Sequence, residues 1–107
     1  MPASNIISMT GVKHFSNVKY QLASMYDKAV VLSEPISKNT APAIALASKY
    51  IMEKFNVDPV ILVVPSDHMI NNTEKFILTV KEGEKIANLG YIVTFGIKPS
   101  YPETGYG

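Results

Sequence analysis

The stretch AVVLSEPISKNTAPAI, residues 29–44, decides the fold because it joins a short apolar run to a strong helix start. Residues 29–32 are apolar and rich in valine, which favours a β-strand. We predict that a helix over residues 41–55 follows, with Thr40 as its N-cap and Pro42 in the first turn, where the missing N–H costs nothing. Such a junction presents unpaired backbone N–H groups to an anion or a nucleobase.

The same alternation of strands and helices extends along the chain in both directions. We predict strands over residues 5–9, 29–32, 60–64 and 91–97, and helices over residues 14–26, 41–55 and 71 to about 89. The run VILVV at 60–64 is typical of a central parallel strand that is covered on both faces. Strand–helix–strand units in series predict an α/β fold with a mostly parallel sheet and helices on both faces.

The predicted helices carry the signals expected at their faces and ends. Two of them have an apolar stripe spaced by three or four residues, which should face the sheet. The members of these stripes are Phe15, Val18, Leu22 and Met25 in the first helix, and Ile44, Ala47, Ile51 and Phe55 in the second. In the third helix, Asn71 with Glu74 resembles a capping box, and Gly90 supplies a left-handed stop.

The composition describes one globular domain and excludes several function classes. Of 107 residues, 47% are hydrophobic and 18% are charged, which is too apolar for a disordered chain. The net charge of +1 gives no electrostatic case for nucleic acid, and no apolar run approaches the roughly 20 residues of a membrane span. No signal peptide is visible at residues 1–12, and the absence of cysteine suits a reducing cytoplasm.

Three segments follow predicted strands and should share one rim of the sheet, where ligands of parallel sheets bind: residues 33–40, 65–72 and 98–107. Asp67 in the second segment suits either a turn, in which its carboxylate bonds its own backbone, or a hard cation such as Mg²⁺. We expect the neighbouring His68 to pack its ring in the loop. Since His68 and His14 lack ligand-like spacing, a zinc site is not predicted.

The other two rim segments also allow two interpretations from the residues alone. Asn39, Thr40 and Ala41 begin either an ordinary capped helix or a helix whose first N–H groups bind a ligand. The last segment holds two prolines and two glycines after residue 98, which predicts a loop with defined turns. Its side chains either pack in that loop or bond sugar hydroxyls.

Three motifs in order give the chain a family resemblance. The run from Glu34 to Ile44, the run Pro65-Ser66-Asp67-His68 and the run Glu103-Thr104-Gly105-Tyr106-Gly107 together resemble the mannose-1-phosphate guanylyltransferase family. That family has a Rossmann-like nucleotidyltransferase (nucleotide-diphospho-sugar transferase) fold. Its members make GDP-mannose and pyrophosphate from GTP and mannose 1-phosphate, with Mg²⁺ as cofactor.

The resemblance also implies roles for individual residues. Those implied to bind the nucleotide are Asn39, Thr40 and Ala41; the metal ligand is Asp67; those lining the mannose site are Glu103, Gly105, Tyr106 and Gly107. Lys38 stands where many members carry arginine, so it keeps the charge and loses the bidentate fork.

One departure from the family limits what this chain should do. No glycines are spaced as in a phosphate loop, and Gly11 is isolated. We therefore expect residues 1–107 to be part of a single, incomplete nucleotidyltransferase domain that lacks the N-terminal phosphate loop and the C-terminal half. Such a piece should be catalytically inactive and prone to homo-oligomerisation through exposed sheet edges.

Three alternatives stay open at this point. The parent enzyme could be another sugar-1-phosphate nucleotidyltransferase, or the transferase part of a bifunctional protein with a mannose-6-phosphate isomerase domain. From a different class, a non-catalytic module that binds nucleotide sugars would share the fold.

Overall fold

The structure is a computed structural model that describes residues 2–36 and 39–98. The chain divides into two compact units, Met1–Val63 and Val64–Gly107, which are described separately below. Among the helices described, none combines the length and the apolar character needed to cross a membrane.

The first unit is built on a strand–helix–strand motif. Strand β1 (Ile7–Gly11) leads through a short 3₁₀ turn, Val12–His14, into helix α1 (Phe15–Met25), and strand β2 (Val30–Glu34) follows. The two strands are parallel and pair from Ile7 opposite Val30 to Gly11 opposite Glu34. Because parallel neighbours need a crossover connection, α1 supplies the link, and the predicted α/β class is confirmed.

Helix α1 packs against both strands, and the next helix, α2 (Thr40–Phe55), contacts β1. The predicted inward stripes are confirmed over most of their length, since the earlier members of each are half-buried: Phe15, Val18 and Leu22 in α1, and Ile44, Ala47 and Ile51 in α2. The last member of each stripe was predicted wrongly. Met25 is 67% exposed and Phe55 is 42% exposed, because both lie in the final turn of their helices, beyond the reach of the two strands.

The second unit contains helix α3 (Thr73–Ala87). Its least exposed residues repeat every three or four positions and form one face: Phe76, Val80, Gly83 and Ala87. Gly83 is the single buried residue in the described part of the chain. A Cβ at that position would lie 2.7 Å from Cζ of Phe95 and 3.6 Å from Cγ1 of Val93, so the segment after the helix packs directly on this face.

The ends of α3 differ slightly from the prediction. The N-cap is Asn72 rather than Asn71, and its side chain accepts a hydrogen bond from the backbone N–H of Lys75 at 2.9 Å. The predicted stop at Gly90 is confirmed, because Gly90 has φ +91° and its N–H donates to the carbonyl of Ala87. A left-handed residue without a Cβ ends the helix at little steric cost.

The strands predicted over residues 60–64 and 91–97 were wrong for this structure. Neither segment is a strand, and in the described residues neither forms backbone hydrogen bonds with a neighbouring segment. The side chains of residues 60–64 are 39–55% exposed. An apolar, β-branched run predicts that the side chains of a segment are buried. A strand also needs a neighbouring strand with which its backbone N–H and C=O groups form hydrogen bonds.

Candidate functional site

A cavity of about 670 Å³ opens at the carboxyl ends of β1 and β2. The residues that line it are Gly11, Val12, Lys13, His14, Glu34 and Pro35. The volume is in the range of small-molecule pockets, and this end of a parallel sheet is where ligands bind in open α/β folds. The first unit therefore has a cavity at the rim where residues 33–40 were predicted to act.

The walls of the cavity come from two neighbouring strand ends. Gly11 and Glu34 are the last residues of β1 and β2 and are paired in the register. Lys13 and His14 are exposed in the turn that follows β1, and Glu34 is half-buried. Within the described residues, neither Glu34 nor Lys13 forms an ion pair, so both carry charge that a ligand can use.

The start of α2 lies six residues beyond Glu34 and has an unusual geometry. The helix begins at Thr40, so the N-cap position belongs to Asn39, and the predicted Thr40 cap was wrong by one residue. Asn39 has φ 70° and ψ −167°, and its side chain makes no capping hydrogen bond. This backbone region is adopted almost only by glycine and costs about 1–3 kcal/mol for another residue.

The first turn of α2 carries the partial positive charge of the helix dipole, and no side-chain cap offsets it. The turn contains no acidic residue, and Asn39, Thr40 and Ala41 are all exposed. Pro42 has no N–H, so the unpaired donors are concentrated at the residues just before it. Such a helix start favours the approach of an anion or of a hydrogen-bond acceptor.

Asp67 lies in the second unit, in a turn with Ser66. Its carboxylate is exposed and accepts no hydrogen bond from the described residues, so the interpretation as a self-bonded turn aspartate gains no support. His68 is exposed as well, contrary to the expectation of a packed ring, because its loop has no buried apolar surface to receive it.

A metal at Asp67 can be tested against the donor groups around it. Across residues 2–36 and 39–98, no three His, Cys, Asp or Glu side chains form a cluster that could hold a metal ion. Mg²⁺ is commonly held by one or two carboxylates together with water and substrate phosphates. A single exposed carboxylate fits that mode of binding and does not fit a site built from protein ligands alone.

Several predicted site residues fall outside the described residues. These are the four implied to line the sugar site, Glu103, Gly105, Tyr106 and Gly107, together with Lys38. Of the predicted residues that are described, Asn39, Thr40 and Ala41 stand together in the first unit, and Asp67 belongs to the second.

Sequence reasoning missed the turn after β1. Lys13 and His14 line the cavity, yet only the segments after the second and later strands were assigned to the rim. The signal was available, because Gly11 ends the first strand and the residues that follow it must lie at the same edge as those after Glu34.

Comparisons with known proteins identify the family. The sequence profile of the nucleotidyl transferase family matches residues 3–107. A mannose-1-phosphate guanylyltransferase of Salmonella montevideo is 39% identical over 106 residues, which are 98% of this chain and 22% of that protein. A mannose-1-phosphate guanylyltransferase of Escherichia coli is 47% identical over 77 residues, which are 72% of this chain and 16% of that protein.

A third relative, the xanthan biosynthesis protein XanB of Xanthomonas campestris, is 47% identical over 79 residues, which are 74% of this chain and 17% of that protein. The chain thus spans about a fifth of the length of these curated relatives. No solved structure matches the chain at the threshold that these relatives pass. Since the family profile covers almost every residue and the structure has the expected parallel strand–helix–strand unit, the chain belongs to the nucleotidyl transferase family.

Proposed function

We propose that this chain is part of a mannose-1-phosphate guanylyltransferase, which makes GDP-mannose and pyrophosphate from GTP and mannose 1-phosphate. The observation that carries the proposal is the 39% identity over 98% of the chain to a protein of that name. The cavity beside β1 and β2 and the uncapped start of α2 support it, because both suit a nucleotide. Similarity to a xanthan biosynthesis protein supports a role in polysaccharide precursor supply.

In this proposal the chain binds and positions the substrates. The N–H groups at Asn39, Thr40 and Ala41 donate to the nucleotide, and the partial positive charge of the helix start offsets part of its negative charge. Glu103, Gly105, Tyr106 and Gly107 bind the sugar. Phosphoryl transfer of this kind depends on positioning and electrostatic stabilisation more than on covalent help from the protein.

Asp67 is the proposed ligand of Mg²⁺. Its exposed carboxylate would hold the ion together with phosphate oxygens of the substrate. When bound, Mg²⁺ offsets phosphate charge and polarises the phosphoryl group. The reaction takes place in the cytoplasm in this proposal, which the absence of cysteine supports.

The proposal is tested by binding and by turnover. In isothermal titration calorimetry, the purified chain should bind GDP-mannose, more tightly with Mg²⁺ than with a chelator. The Asp67→Asn variant should lose the Mg²⁺-dependent part of the affinity. The matched control is Asp27→Asn, which changes another exposed aspartate in a turn and should behave as the wild type.

Two outcomes would count against the proposal. Absence of GDP-mannose binding would contradict the assigned ligand, and equal affinity with Mg²⁺ and with chelator would contradict the metal role of Asp67. We expect no pyrophosphate release from the 107-residue chain with GTP and mannose 1-phosphate, because the sequence lacks a phosphate loop. Measured release would overturn that expectation.

A further inference from the structure

The apolar run VILVV at residues 60–64 lies between two prolines that are placed symmetrically about Leu62. We propose that this run pairs with the same run of a second copy of the chain, as two antiparallel strands related by a two-fold axis at Leu62. The pairing is independent of the proposed function. It assigns the self-association expected from the sequence to one segment and one register.

The run is exposed and is suited to an extended backbone. Its five side chains are 39–55% exposed, none is charged, and all except Leu62 are β-branched. Within the described part of the chain, its backbone N–H and C=O groups form no hydrogen bond with another segment. Val64 precedes Pro65, and a residue before proline is restricted to extended conformations. The run therefore needs only a neighbouring strand to form a β-ladder.

The two edges of such a strand differ because of the prolines. In an extended chain, the N–H and C=O groups of successive residues point to opposite edges. One edge presents the donors of the even-numbered residues, which are Val60, Leu62 and Val64. The other edge is bounded at both ends by Pro59 and Pro65, which have no N–H. Since proline blunts a strand edge, only the first edge offers an uninterrupted row of donors.

Antiparallel pairing of two copies through this first edge gives every donor an acceptor. With the axis at Leu62, Leu62 faces its own copy and Val60 faces Val64 of the second copy, and each N–H reaches the carbonyl of the residue opposite. Pro59 then lies opposite Pro65, at positions whose N–H groups would point away from the second copy, so their absence costs no bond. Apolar side chains meet apolar side chains across the pair. Both copies use the same surface, as an isologous contact requires.

The size of the contact determines its strength. Covering the exposed parts of these side chains in both copies would bury at most about 800 Å², less than the roughly 1,200 Å² of a stable interface. We therefore expect a weak dimer that is half formed between about 10 µM and 1 mM protein. Because the proline-bounded edge stays on the outside, the association should stop at two copies.

Sedimentation-velocity centrifugation of the 107-residue chain tests the pairing. We expect a monomer at low concentration, a reversible dimer at high concentration and no larger species. A sedimentation coefficient that stays at the monomer value up to about 1 mM would overturn the proposal. An open-ended series of larger species would also overturn it, because both edges would then be pairing.

Two proline variants distinguish the two edges. Leu62→Pro removes the central donor of the pairing edge and should weaken dimerisation about tenfold or more. Val63→Pro is the matched control, because it removes a donor from the opposite edge and should leave dimerisation unchanged. Neither donor forms a backbone hydrogen bond with the described residues, and thermal unfolding checks that each variant keeps its fold. Equal dimerisation of the two variants would contradict the assignment of the edge.

Two cysteine variants report the register, since the chain has no cysteine of its own. Leu62→Cys places two thiols across the axis, where the Cα atoms of a hydrogen-bonded antiparallel pair are about 5.5 Å apart, within the range of a disulfide. With diamide as the oxidant, it should form a covalent dimer on a non-reducing gel. Val64→Cys is offset by four residues from its own copy and should remain monomeric. Equal cross-linking of both variants would contradict a two-fold axis at Leu62.

Discussion

The first turns of α2 and α3 are built in opposite ways. At α3, the side chain of Asn72 accepts from the N–H of Lys75 at 2.9 Å, and Glu74 places a negative charge in the first turn. At α2, Asn39 makes no capping bond, the first turn has no acidic residue, and the backbone of Asn39 has φ 70°. The start of α3 thus has a side-chain cap and an acidic residue, and the start of α2 has neither. We call the first start complete and the second incomplete.

This difference is what we expect between a helix start that is purely structural and one that binds a ligand, as proposed for α2. A cap and an acidic residue each stabilise a helix by up to about 1 kcal/mol, so their absence at α2 is a cost. Backbone strain at Asn39 adds about 1–3 kcal/mol. Strain of this kind is concentrated at functional sites, and here it coincides with residues that the family resemblance implies to bind the nucleotide.

The largest loss of affinity should come from placing an acidic residue in the first turn of α2, as in α3. Ala41 is the second residue of α2, the position that Glu74 holds in α3. Ala41→Glu should lower the affinity for GDP-mannose about tenfold, because it places a carboxylate against the diphosphate and offsets the positive end of the helix. Calorimetry measures the affinity. The reciprocal Glu74→Ala variant should bind normally, and an unchanged affinity for Ala41→Glu would contradict the account.

A substitution at Asn39 should separate the effect of backbone strain on stability from the binding of the ligand at the α2 start. Asn39→Gly should raise the free energy of unfolding by about 1 kcal/mol, because the relief of strain exceeds the entropic cost of glycine. The same change keeps the backbone N–H that is proposed to bind the nucleotide, so the affinity for GDP-mannose should stay near the wild-type value. Chemical denaturation and calorimetry measure the two quantities. A variant that is less stable than the wild type would show that Asn39 is not strained.

Removing the cap of α3 should affect stability alone. Asn72→Ala should lower the free energy of unfolding by about 1 kcal/mol, because the N–H of Lys75 loses its partner. Affinity for GDP-mannose should stay at the wild-type value. Denaturation and calorimetry again provide the readout, and weakened binding would mean that α3 contributes to the ligand site.

The smallest effect is expected in the middle of α3. Gly83→Ala gains about 1 kcal/mol in helix propensity. The added methyl group would stand 2.7 Å from Cζ of Phe95, whose ring is 44% exposed and has room to move aside. The two terms nearly cancel, so thermal unfolding should change little. Gly83→Leu should displace the ring and lower stability by about 1–3 kcal/mol, and equal stability of both variants would show that Phe95 does not pack there.

Local patterns made most of the helical structure predictable. The apolar stripes placed α1 and α2 within two residues of their observed ends, and the signals for α3 were correct apart from a one-residue shift between two adjacent asparagines. Both asparagines can cap a helix, and only the backbone geometry selects Asn72. The parallel pairing of β1 and β2 followed from the helix between them.

Non-local features were harder to predict. Residues 60–64 and 91–97 have the composition of strands, but hydrogen-bonded pairing depends on a partner that composition does not reveal. The positive φ of Asn39 was not predicted, because the N-cap was assigned to Thr40 and composition does not reveal a backbone angle. The role of Lys13 in the cavity emerged only when the register placed Gly11 opposite Glu34.

The most direct test of the central claim is an amide chemical-shift titration of the ¹⁵N-labelled chain with GDP-mannose and Mg²⁺. The claim is that the incomplete start of α2 binds the nucleotide and the completed start of α3 does not. We expect saturable shifts at Asn39, Thr40 and Ala41, with no change at Asn72 and Lys75. Absence of shifts at the α2 start, or equal shifts at both helix starts, would contradict it.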